Sequence, residues 1–527
     1  MAFVEAASVL ADRLGPFADV ETGWELLATA ERIAPAEVER VLMYPTVGVW
    51  LSRALRHVVG LAPDGTPFRS EVGGFHTVVA AVAVRGGLPC ELSVPVMYGA
   101  VTLPSVGLIR LATDFPLGHV RLRNTVDGVS LSVPGEPLEP VRRHRSAARG
   151  RSITVAFDDL DVYRAFGPPT RAEPLASADH DEWCKLLDEA WDMLTASQAA
   201  SAEELAAALV TITPLDAGPD VFAASSSAAF GGIAMSPKRS AVEFGEALVH
   251  ELQHSKVNGL LDLVDLCHGE AVARHYAPWR DDPRPVQGLL HGAYAFVSVV
   301  EFWRAQRDRV PPELAARARF GFALRARQVG EVVDTLRRST ELTGLGREFV
   351  AGVSVRLAAC DPADVPPDLA AAVALCTADH RAVWRLRHVR PAGRVVAGLA
   401  EAWLSGGTAD VTGPSEVVAA ATVGATRLGA LVRLSVLDPD RLRRLADGPD
   451  LALLRGDRDA AARGYAARLR RAPQDVQAWS GFGLASGSTS LTRTPETVRA
   501  VHHEIAVRTG AAPDPAELAA WFDRLAR

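Results

Sequence analysis

Two histidines and a glutamate have the residue types and spacing most suited to chemistry in this chain. His250, Glu251 and His254 lie in the run His-Glu-Leu-Gln-His. On an α-helix the side chains at positions i and i+4 share one face, so both imidazoles can bind the same metal ion. Glu251 projects beside them and is the candidate catalytic residue, because a carboxylate in this position can activate a metal-bound water. The spacing predicts a metal centre. Two surface histidines on an amphipathic helix are the competing interpretation.

The segments around this run are expected to form a helix and, before it, the edge of a sheet. Apolar residues recur at helical spacing, and neither Pro nor Gly interrupts 246–258, which predicts a helix over about 241–260. The preceding segment, FAASSSAAFGGIAMSP (222–237), is expected to form strands. A sheet edge above a metal centre can bind an extended peptide by strand addition. An ordinary hairpin rich in Gly and Ser is an equally good interpretation of 222–237.

A third metal ligand is expected downstream of the two histidines. His291 is favoured, because it lies in an apolar helix predicted over about 286–309, where burying an imidazole without a partner is costly. A core histidine bonded to a backbone carbonyl is the alternative. The side chains that compete for the position of third ligand are Glu270, Glu301, His268 and His275.

The loop before the His291 helix carries residues suited to binding a carboxylate. Tyr276, Arg280 and Arg284 lie in the Pro-punctuated segment HYAPWRDDPRPVQG (275–288). A guanidinium binds a carboxylate through two parallel hydrogen bonds, so two arginines beside a metal suit a carboxylate-bearing cosubstrate. Simple pairing of these arginines with the neighbouring Asp281 and Asp282 at the surface is the alternative.

Length, charge and cysteine content exclude several classes of protein. A chain of 527 residues is expected to form two or three domains. The net charge of −7 provides no basic field for nucleic acid. Five scattered cysteines argue against a disulfide scaffold and a thiolate zinc site. Without a signal-peptide pattern at the start or a run of about 18 apolar residues, we expect a cytoplasmic protein without a membrane span.

Periodicity along the chain predicts an α+β protein that is mainly helical. Helices are expected in 1–64, from the runs at 4–14, 24–33 and 47–59, and antiparallel strands in 65–175, with HTVVAAVAV (76–84) as a strand and 140–152 as a basic flexible loop. Residues 176–310 are expected to form a zincin-like metal-binding core. Residues 311–527 are expected to be helical, with a helical hairpin over 461–485 that either resembles a tetratricopeptide repeat or is a plain hairpin.

Three segments of the chain resemble a known family. LVHELQHSKVNGLLDLV, the upstream AFGGIAMSP and the downstream YAPWRDDPRPVQGLLHGAYAF are similar to the HEXXH-motif proteins of bacterial peptide-modification gene clusters. Those proteins are understood as 2-oxoglutarate-dependent peptide β-hydroxylases, some of which accompany radical-SAM maturases. The resemblance is densest over about 220–305. It extends more loosely to VLMYPTVGVWLSRALR and the C-terminal helical region.

The resemblance implies oxidation with Fe(II), 2-oxoglutarate and O2 rather than hydrolysis with Zn(II). His250 and His254 carry over as iron ligands, and His291 is expected to be the third. Tyr276, Arg280 and Arg284 are our inference for 2-oxoglutarate binding. The implied partner is a ribosomally synthesised precursor peptide, with a radical-SAM maturase as a further one. The role of Glu251 stays open. A zinc-dependent metallopeptidase and a non-catalytic helical adaptor are the two alternatives.

Overall fold

The computed structural model describes most of the chain as two compact units. The described residues are 11–61, 65–112, 118–216, 223–360, 365–410, 413–420, 426–445 and 448–525. Contacts divide the chain into Met1–Leu263 and Val264–Arg527. The division falls inside the predicted metal-binding core, so His250 and His254 belong to the first unit and His291 to the second.

The first unit begins with short helices whose starts are encoded locally. These helices are α1 (Ala11–Leu14), α2 (Val20–Ile33), α3 (Pro35–Leu42), α4 (Pro45–Val58), α5 (Phe68–Val72) and α6 (Gly74–Gly86). The Asp19 carboxylate caps α2 by accepting from the Thr22 N–H. Proline occupies the first turn of α3 and α4, where its missing N–H is no loss. The helices predicted at 24–33 and 47–59 are confirmed, whereas the one predicted over 4–14 lies mostly outside the described residues.

Helix α6 overturns the strand predicted over 76–84. The nine residues HTVVAAVAV form the middle of α6, and most of them are buried. A helix buried on every face has no polar stripe, so its sequence is as uniformly apolar as a buried strand, and periodicity cannot separate the two. The strand prediction is therefore wrong. The β-branched valines that favour a strand also suit a fully buried helix bounded by glycines.

Two small antiparallel sheets follow α6. Their strands are β1 (Cys90–Pro95), β2 (Ala100–Leu103), β3 (Gly107–Arg110), β4 (His119–Thr125), β5 (Gly128–Leu131) and β6 (Glu139–Pro140). The strand orders are β1-β4-β5 and β2-β3-β6. Strand β4 alternates exposed and buried residues along its whole length, which explains why the sequence pattern predicts it. The strands predicted over 91–97, 106–112, 119–125 and 129–133 are confirmed.

A third, mixed sheet leads to the histidine helix. Its strands are β7 (Arg142–Ala148), β8 (Arg151–Phe157), β9 (Thr211–Pro214), β10 (Ala223–Ala224) and β11 (Gly232–Met235), in the order β10-β11-β9-β8-β7. Strand β9 runs parallel to both β8 and β11, and the outer pairs are antiparallel. The described part of 222–237 supplies β10, one of the two outer strands of this sheet, and pairs it with β11 as an antiparallel hairpin, so the fold is compatible with both interpretations of this segment.

Strand β7 corrects the loop predicted over 140–152. Arg142 to Ala148 pair with β8 through a tight turn in which Arg149 and Gly150 have φ of 49° and 75°. Left-handed backbone at both positions is typical of a two-residue hairpin. The prediction is wrong because the charges belong to a strand, in which Arg143 and Arg145 lie on the exposed face and Arg142, on the opposite face, pairs with the buried Asp159.

Three helices complete the first unit. These are α7 (Ser177–Ser197), α8 (Ala199–Ala208) and α9 (Ala241–Leu261). Helix α9 begins at Ser240, whose hydroxyl accepts from the Glu243 N–H. It packs against α7, where the rings of Trp183 and Phe244 lie 5.7 Å apart. The helix predicted over 241–260 is confirmed.

The second unit is almost wholly helical. Its helices are α10 (Val286–Gln306), α11 (Pro312–Arg337), α12 (Gly344–Ala359), α13 (Pro367–His388), α14 (Gly393–Ser405), α15 (Arg427–Leu437), α16 (Pro439–Arg443), α17 (Pro449–Leu454), α18 (Arg458–Arg471), α19 (Val476–Ser486), α20 (Thr489–Arg493), α21 (Pro495–Thr509) and α22 (Pro515–Leu525). Strands β12 (Val389–Pro391) and β13 (Ser415–Val417) pair antiparallel. Among the described residues, no helix combines the length and apolar character needed to cross a membrane.

The helical hairpin predicted over 461–485 is present as α18 and α19. A side chain on Gly481 would meet the Tyr465 ring at 2.2 Å, so glycine permits the two helices to approach closely. The buried Tyr465 hydroxyl donates to Asp450 at 2.6 Å. These contacts fix a tightly packed hairpin in the core of the second unit.

Candidate metal centre

The two predicted histidines meet on one face of α9. Their Nε2 atoms lie 3.0 Å apart, and the ring planes are nearly perpendicular, at 89°. The half-exposed face that carries His250 and His254 is the open side of the helix, whereas Phe244, Leu248 and Leu252 are buried. Without a metal, one ring donates its Nε2–H to the lone pair of the other. With both rings neutral and rotated to present lone pairs, the same atoms converge on one ion.

The spacing of the two nitrogens fits a shared metal ion. Metal–imidazole bonds are about 2.0–2.1 Å long, so two such bonds to nitrogens 3.0 Å apart enclose an angle close to a right angle. A regular tetrahedral angle with the same bonds needs nitrogens about 3.3–3.4 Å apart. Because 3.0 Å is also the length of the hydrogen bond between the two rings, the distance is compatible with iron and with zinc.

Glu251 is buried between α9 and the sheet edge. The residue is only 4% exposed. Its Oε2 atom accepts a hydrogen bond from the Ser225 hydroxyl at 2.7 Å. Burial raises the pKa of this carboxyl to about 7, although the Ser225 hydrogen bond and the Lys238 charge favour its ionised form. Ser225 directly follows β10, so this bond ties the turn of α9 that carries His250 to the edge strand.

The loop that follows Ser225 is held in place by α4. A Cβ on Gly48 would lie 2.2 Å from the Ala228 carbonyl oxygen, so only glycine allows this approach. Gly232, at the start of β11, packs in the same way against Pro45, where an added Cβ would meet the proline Cβ at 2.8 Å. Helix α4 therefore packs closely against both the loop and the second strand of the β10–β11 hairpin.

His291 lies on α10 in the second unit and is half-buried. Burial lowers its pKa, and the positive charge of Arg284 lowers it further. A depressed pKa keeps the imidazole neutral at pH 7, which is the form that binds metal. The predicted helical setting of His291 is confirmed, and its role as a ligand stays a prediction.

The two predicted carboxylate-binding arginines share one acidic neighbour. Arg280 Nε donates to one Asp282 oxygen at 2.8 Å, and Arg284 Nη1 donates to the other at 3.1 Å. Burial raises the pKa of Asp282, but the two arginine hydrogen bonds outweigh it and the pKa lies below its usual range. The surface pairing offered as an alternative is therefore present, and cosubstrate binding by the same guanidinium groups stays a prediction.

Tyr276 packs into a cluster on α13. Its hydroxyl lies 2.8 Å from His380 Nδ1, and the other His380 nitrogen lies 3.4 Å from Asp281. The Tyr276 ring also contacts Trp384 and lies under the Arg381 guanidinium, 5.0 Å from the ring centre. Burial raises the pKa of Tyr276 well above its usual range, so the hydroxyl stays protonated.

The competing third-ligand candidates differ in how far they are already engaged. Glu301 receives hydrogen bonds from Arg356 Nε at 2.9 Å and Nη2 at 2.6 Å. His275 Nε2 lies 3.4 Å from Glu341. Both Glu270 and His268 are exposed. Across the described parts of the chain, no group of three or more His, Cys, Asp or Glu side chains is arranged so that it could hold a metal ion. His250 and His254 therefore stand as a pair.

Two residues of this chemistry were missed by sequence reasoning. Ser225 sits in a run of three serines, and nothing local distinguishes it from Ser226. His380 reaches Tyr276 across 104 positions of the chain. Only the packing of strand against helix, and of loop against α13, reveals either residue.

Comparison of the chain with models of protein families and with curated proteins finds no match.

Proposed function

We propose that this protein is an Fe(II)- and 2-oxoglutarate-dependent oxygenase that β-hydroxylates a residue of a ribosomally made peptide. One observation carries the metal part of the proposal: the Nε2 atoms of His250 and His254 lie 3.0 Å apart on one helical face. Two imidazoles on one helical face can hold either iron or zinc, and the choice of iron follows the family resemblance. The choice of reaction is supported by the resemblance of 220–305 to peptide β-hydroxylases.

His250 and His254 would hold the iron, and the rest of the chain would position it. Bound iron would couple the decarboxylation of 2-oxoglutarate to succinate and CO2 with transfer of one O2 oxygen into a peptide C–H bond. The Nε2 atoms must both be unprotonated, so the opposite ring nitrogens must carry the protons. Helix α9 supplies the fixed i, i+4 spacing, and its packing on α7 keeps that helix rigid.

The proposed third ligand and cosubstrate site come from the second unit. His291 is favoured over Glu301, because breaking the paired hydrogen bonds from Arg356 would leave a half-buried charge without compensation. Arg280 and Arg284 would bind a 2-oxoglutarate carboxylate in place of Asp282. Tyr276 would hold the start of this loop through its packing on α13.

The proposed substrate is a peptide in extended conformation. Strand β10 is one of the two outer strands of the mixed sheet as described, and Ser225 links its end to α9. An added strand would run beside the histidine face. With α9 this sheet would form a zincin-like core, and the α18–α19 hairpin would act as a tetratricopeptide-like platform for the peptide or a radical-SAM maturase.

The test uses the full-length protein loaded anaerobically with Fe(II). Adding 2-oxoglutarate should produce a visible charge-transfer absorption, and admitting O2 should produce succinate. His254→Ala should lose both signals, whereas His268→Ala, at an exposed histidine, should keep them. Stoichiometric zinc with peptide cleavage and no succinate would contradict the proposal.

The substrate is tested by co-expression with a short precursor peptide from the same gene neighbourhood. The expected product carries a mass gain of one oxygen, located on a β-carbon by fragmentation. The gain should vanish with His254→Ala. A peptide of unchanged mass under aerobic, iron-replete conditions would count against that pairing.

A zinc-dependent peptidase is the second candidate, and the state of Glu251 favours it. A buried carboxyl with a pKa of about 7 is suited to accepting a proton from a metal-bound water near neutral pH. Under this candidate, Glu251→Gln would abolish cleavage while the protein keeps one zinc per chain. Succinate formation by the iron form would reject it.

A further inference from the structure

The Ser225–Glu251 hydrogen bond joins the two elements that the reaction must keep in register. Ser225 ends the edge strand that the peptide would extend, and Glu251 follows directly after the metal ligand His250. The bond is 2.7 Å long and its acceptor residue is almost fully buried. In such surroundings a hydrogen bond is stronger than in water, and losing one partner leaves the other uncompensated.

The same bond engages one of the two carboxylate oxygens with which Glu251 could act as a general base. A general base must come within about 2.6–3.2 Å of the proton that it removes. The Glu251 Oε2 atom is already engaged by the Ser225 hydroxyl, which points the carboxyl toward the strand. A base role would therefore fall to the other oxygen, Oε1, while Oε2 keeps its bond to Ser225.

We infer that Glu251 is a positioning residue that fixes the metal-binding turn of α9 against the edge strand through Ser225. This inference rests on the proposed oxygenase function, in which no water has to be deprotonated. The structural requirement is an acceptor oxygen at position 251, not a negative charge. A glutamine supplies such an oxygen, whereas an alanine does not.

The apo protein allows a first test that needs no activity. A double-mutant cycle combines Ser225→Ala, Glu251→Ala and the pair, each measured by denaturant unfolding. Each single change should lower the folding equilibrium constant about tenfold, and the second should add little once the first is made. Ser226→Ala is the matched control, because its hydroxyl accepts from the Ala228 N–H within the loop. Additive effects of Ser225→Ala and Glu251→Ala would overturn the inference.

Metal-loaded protein provides the second test. Ser225→Ala and Glu251→Ala should each shift the visible spectrum of bound Co(II), whereas Glu251→Gln and Ser225→Thr should restore it. With iron, succinate formation should fall at least about tenfold for Glu251→Ala and recover to within about threefold for Glu251→Gln. A folded Glu251→Gln protein with normal Co(II) spectrum and activity at least about 1000-fold lower would show that Glu251 acts as a base.

The two levels of the proposal fail differently. If wild-type protein with iron and 2-oxoglutarate forms no succinate, the oxygenase proposal fails, and the mutant cycle and Co(II) spectra still decide the role of Glu251. If succinate forms but the Ser225 and Glu251 effects are additive and Co(II) spectra do not change, only the positioning role fails.

Discussion

Helix α9 and the loop before α10 carry the two halves of the predicted chemistry, and they differ in what the structure does with them. On α9 the predicted pair comes together, with His250 and His254 nitrogens 3.0 Å apart. In the loop, Arg280 and Arg284 do not face an open binding site. Both donate hydrogen bonds to the same neighbour, Asp282. One region brings its functional groups toward a common point, and the other neutralises them at the surface.

This difference shows which side-chain arrangements can be predicted from sequence spacing alone. A helix has a fixed repeat, so residues four positions apart must meet whatever surrounds them. A loop has no fixed repeat, and its side chains bond to the partners that tertiary packing supplies. Tyr276 illustrates this, because its hydrogen-bonding partner, His380, lies on α13.

The largest expected effect concerns His291, the proposed third ligand on the helix that follows the loop. If His291 binds the metal, His291→Ala should weaken Co(II) affinity at least about 100-fold, more than loss of an outer-sphere contact does. Competition with a chromophoric chelator measures the affinity. His268→Ala, at an exposed histidine of the same unit, should leave it within a factor of two or so. An unchanged affinity in His291→Ala would restrict the centre to the first region and a different third ligand.

The support behind the first region should be sensitive to one added methyl group. Gly48→Ala would place a Cβ 2.2 Å from the Ala228 carbonyl oxygen, a backbone atom that cannot rotate away. We expect the free energy of unfolding to fall by about 3 kcal/mol, the upper end of the range for overpacking. Denaturant unfolding followed by tryptophan fluorescence measures it.

The matched control for this change is Gly398→Ala. Gly398 lies in α14 with open space around its Cα, so the change should stabilise the protein by up to about 1 kcal/mol. If Gly48→Ala changed the free energy of unfolding as Gly398→Ala does, the close contact between α4 and the β10–β11 loop would be contradicted.

Burial in the first unit should also make its stability depend on pH. Asp161 is 3% exposed, and burial followed by the charge of Asp158 raises its pKa to about 7. Because this folded-state pKa exceeds the unfolded value of about 3.9, the stabilising form is protonated. Its contribution is complete below pH 4 and is lost as the pH rises through 7. Between pH 5 and 7 the free energy of unfolding should fall by about 2 kcal/mol on this account.

Asp161→Asn isolates that contribution, because an amide resembles the protonated acid and does not titrate. The difference between wild type and variant should slope with pH from 5 to 7 and level off above. Asp282→Asn in the second region should give a flat difference over the same range, since the pKa of Asp282 is depressed and its titration lies at lower pH. Equal slopes for the two variants would contradict the assignment.

The smallest effect tests whether the neutralised arginines can serve a cosubstrate. Asp282→Asn removes the anion shared by Arg280 and Arg284, and the loss of these exposed pairs should change stability by less than about 1 kcal/mol. If the guanidinium groups bind 2-oxoglutarate, its Kd should decrease about two- to fivefold. Titration of the charge-transfer absorption gives the Kd, with Asp281→Asn as control. An increase in Kd would show that residues other than Arg280 and Arg284 bind 2-oxoglutarate.

The sequence predicts regular elements of this molecule better than their surroundings. The helix over 241–260 and strand β4 follow from periodicity, because each has one buried and one open face. Helix α6 was mistaken for a strand because burial on all faces removes that contrast. Strand β7 was mistaken for a loop because Arg143 and Arg145 form the exposed face of a hairpin.

The candidate site follows the same division. The histidine pair could be predicted, because its geometry is local. The Ser225 contact to Glu251 could not, since it depends on how a strand packs against a helix 26 positions later. The sharing of Asp282 was foreseen only as one of two alternatives, because sequence does not reveal whether a loop arginine faces a ligand or its neighbour.

The most direct measurement is the iron content of the protein after anaerobic loading with Fe(II) and removal of unbound metal. The wild type should retain about one iron per chain, and His268→Ala should match it. The double variant with His250→Ala and His254→Ala should retain at least about tenfold less while keeping its unfolding transition. Equal iron in the double variant and the wild type would contradict the claim that these two histidines hold the metal.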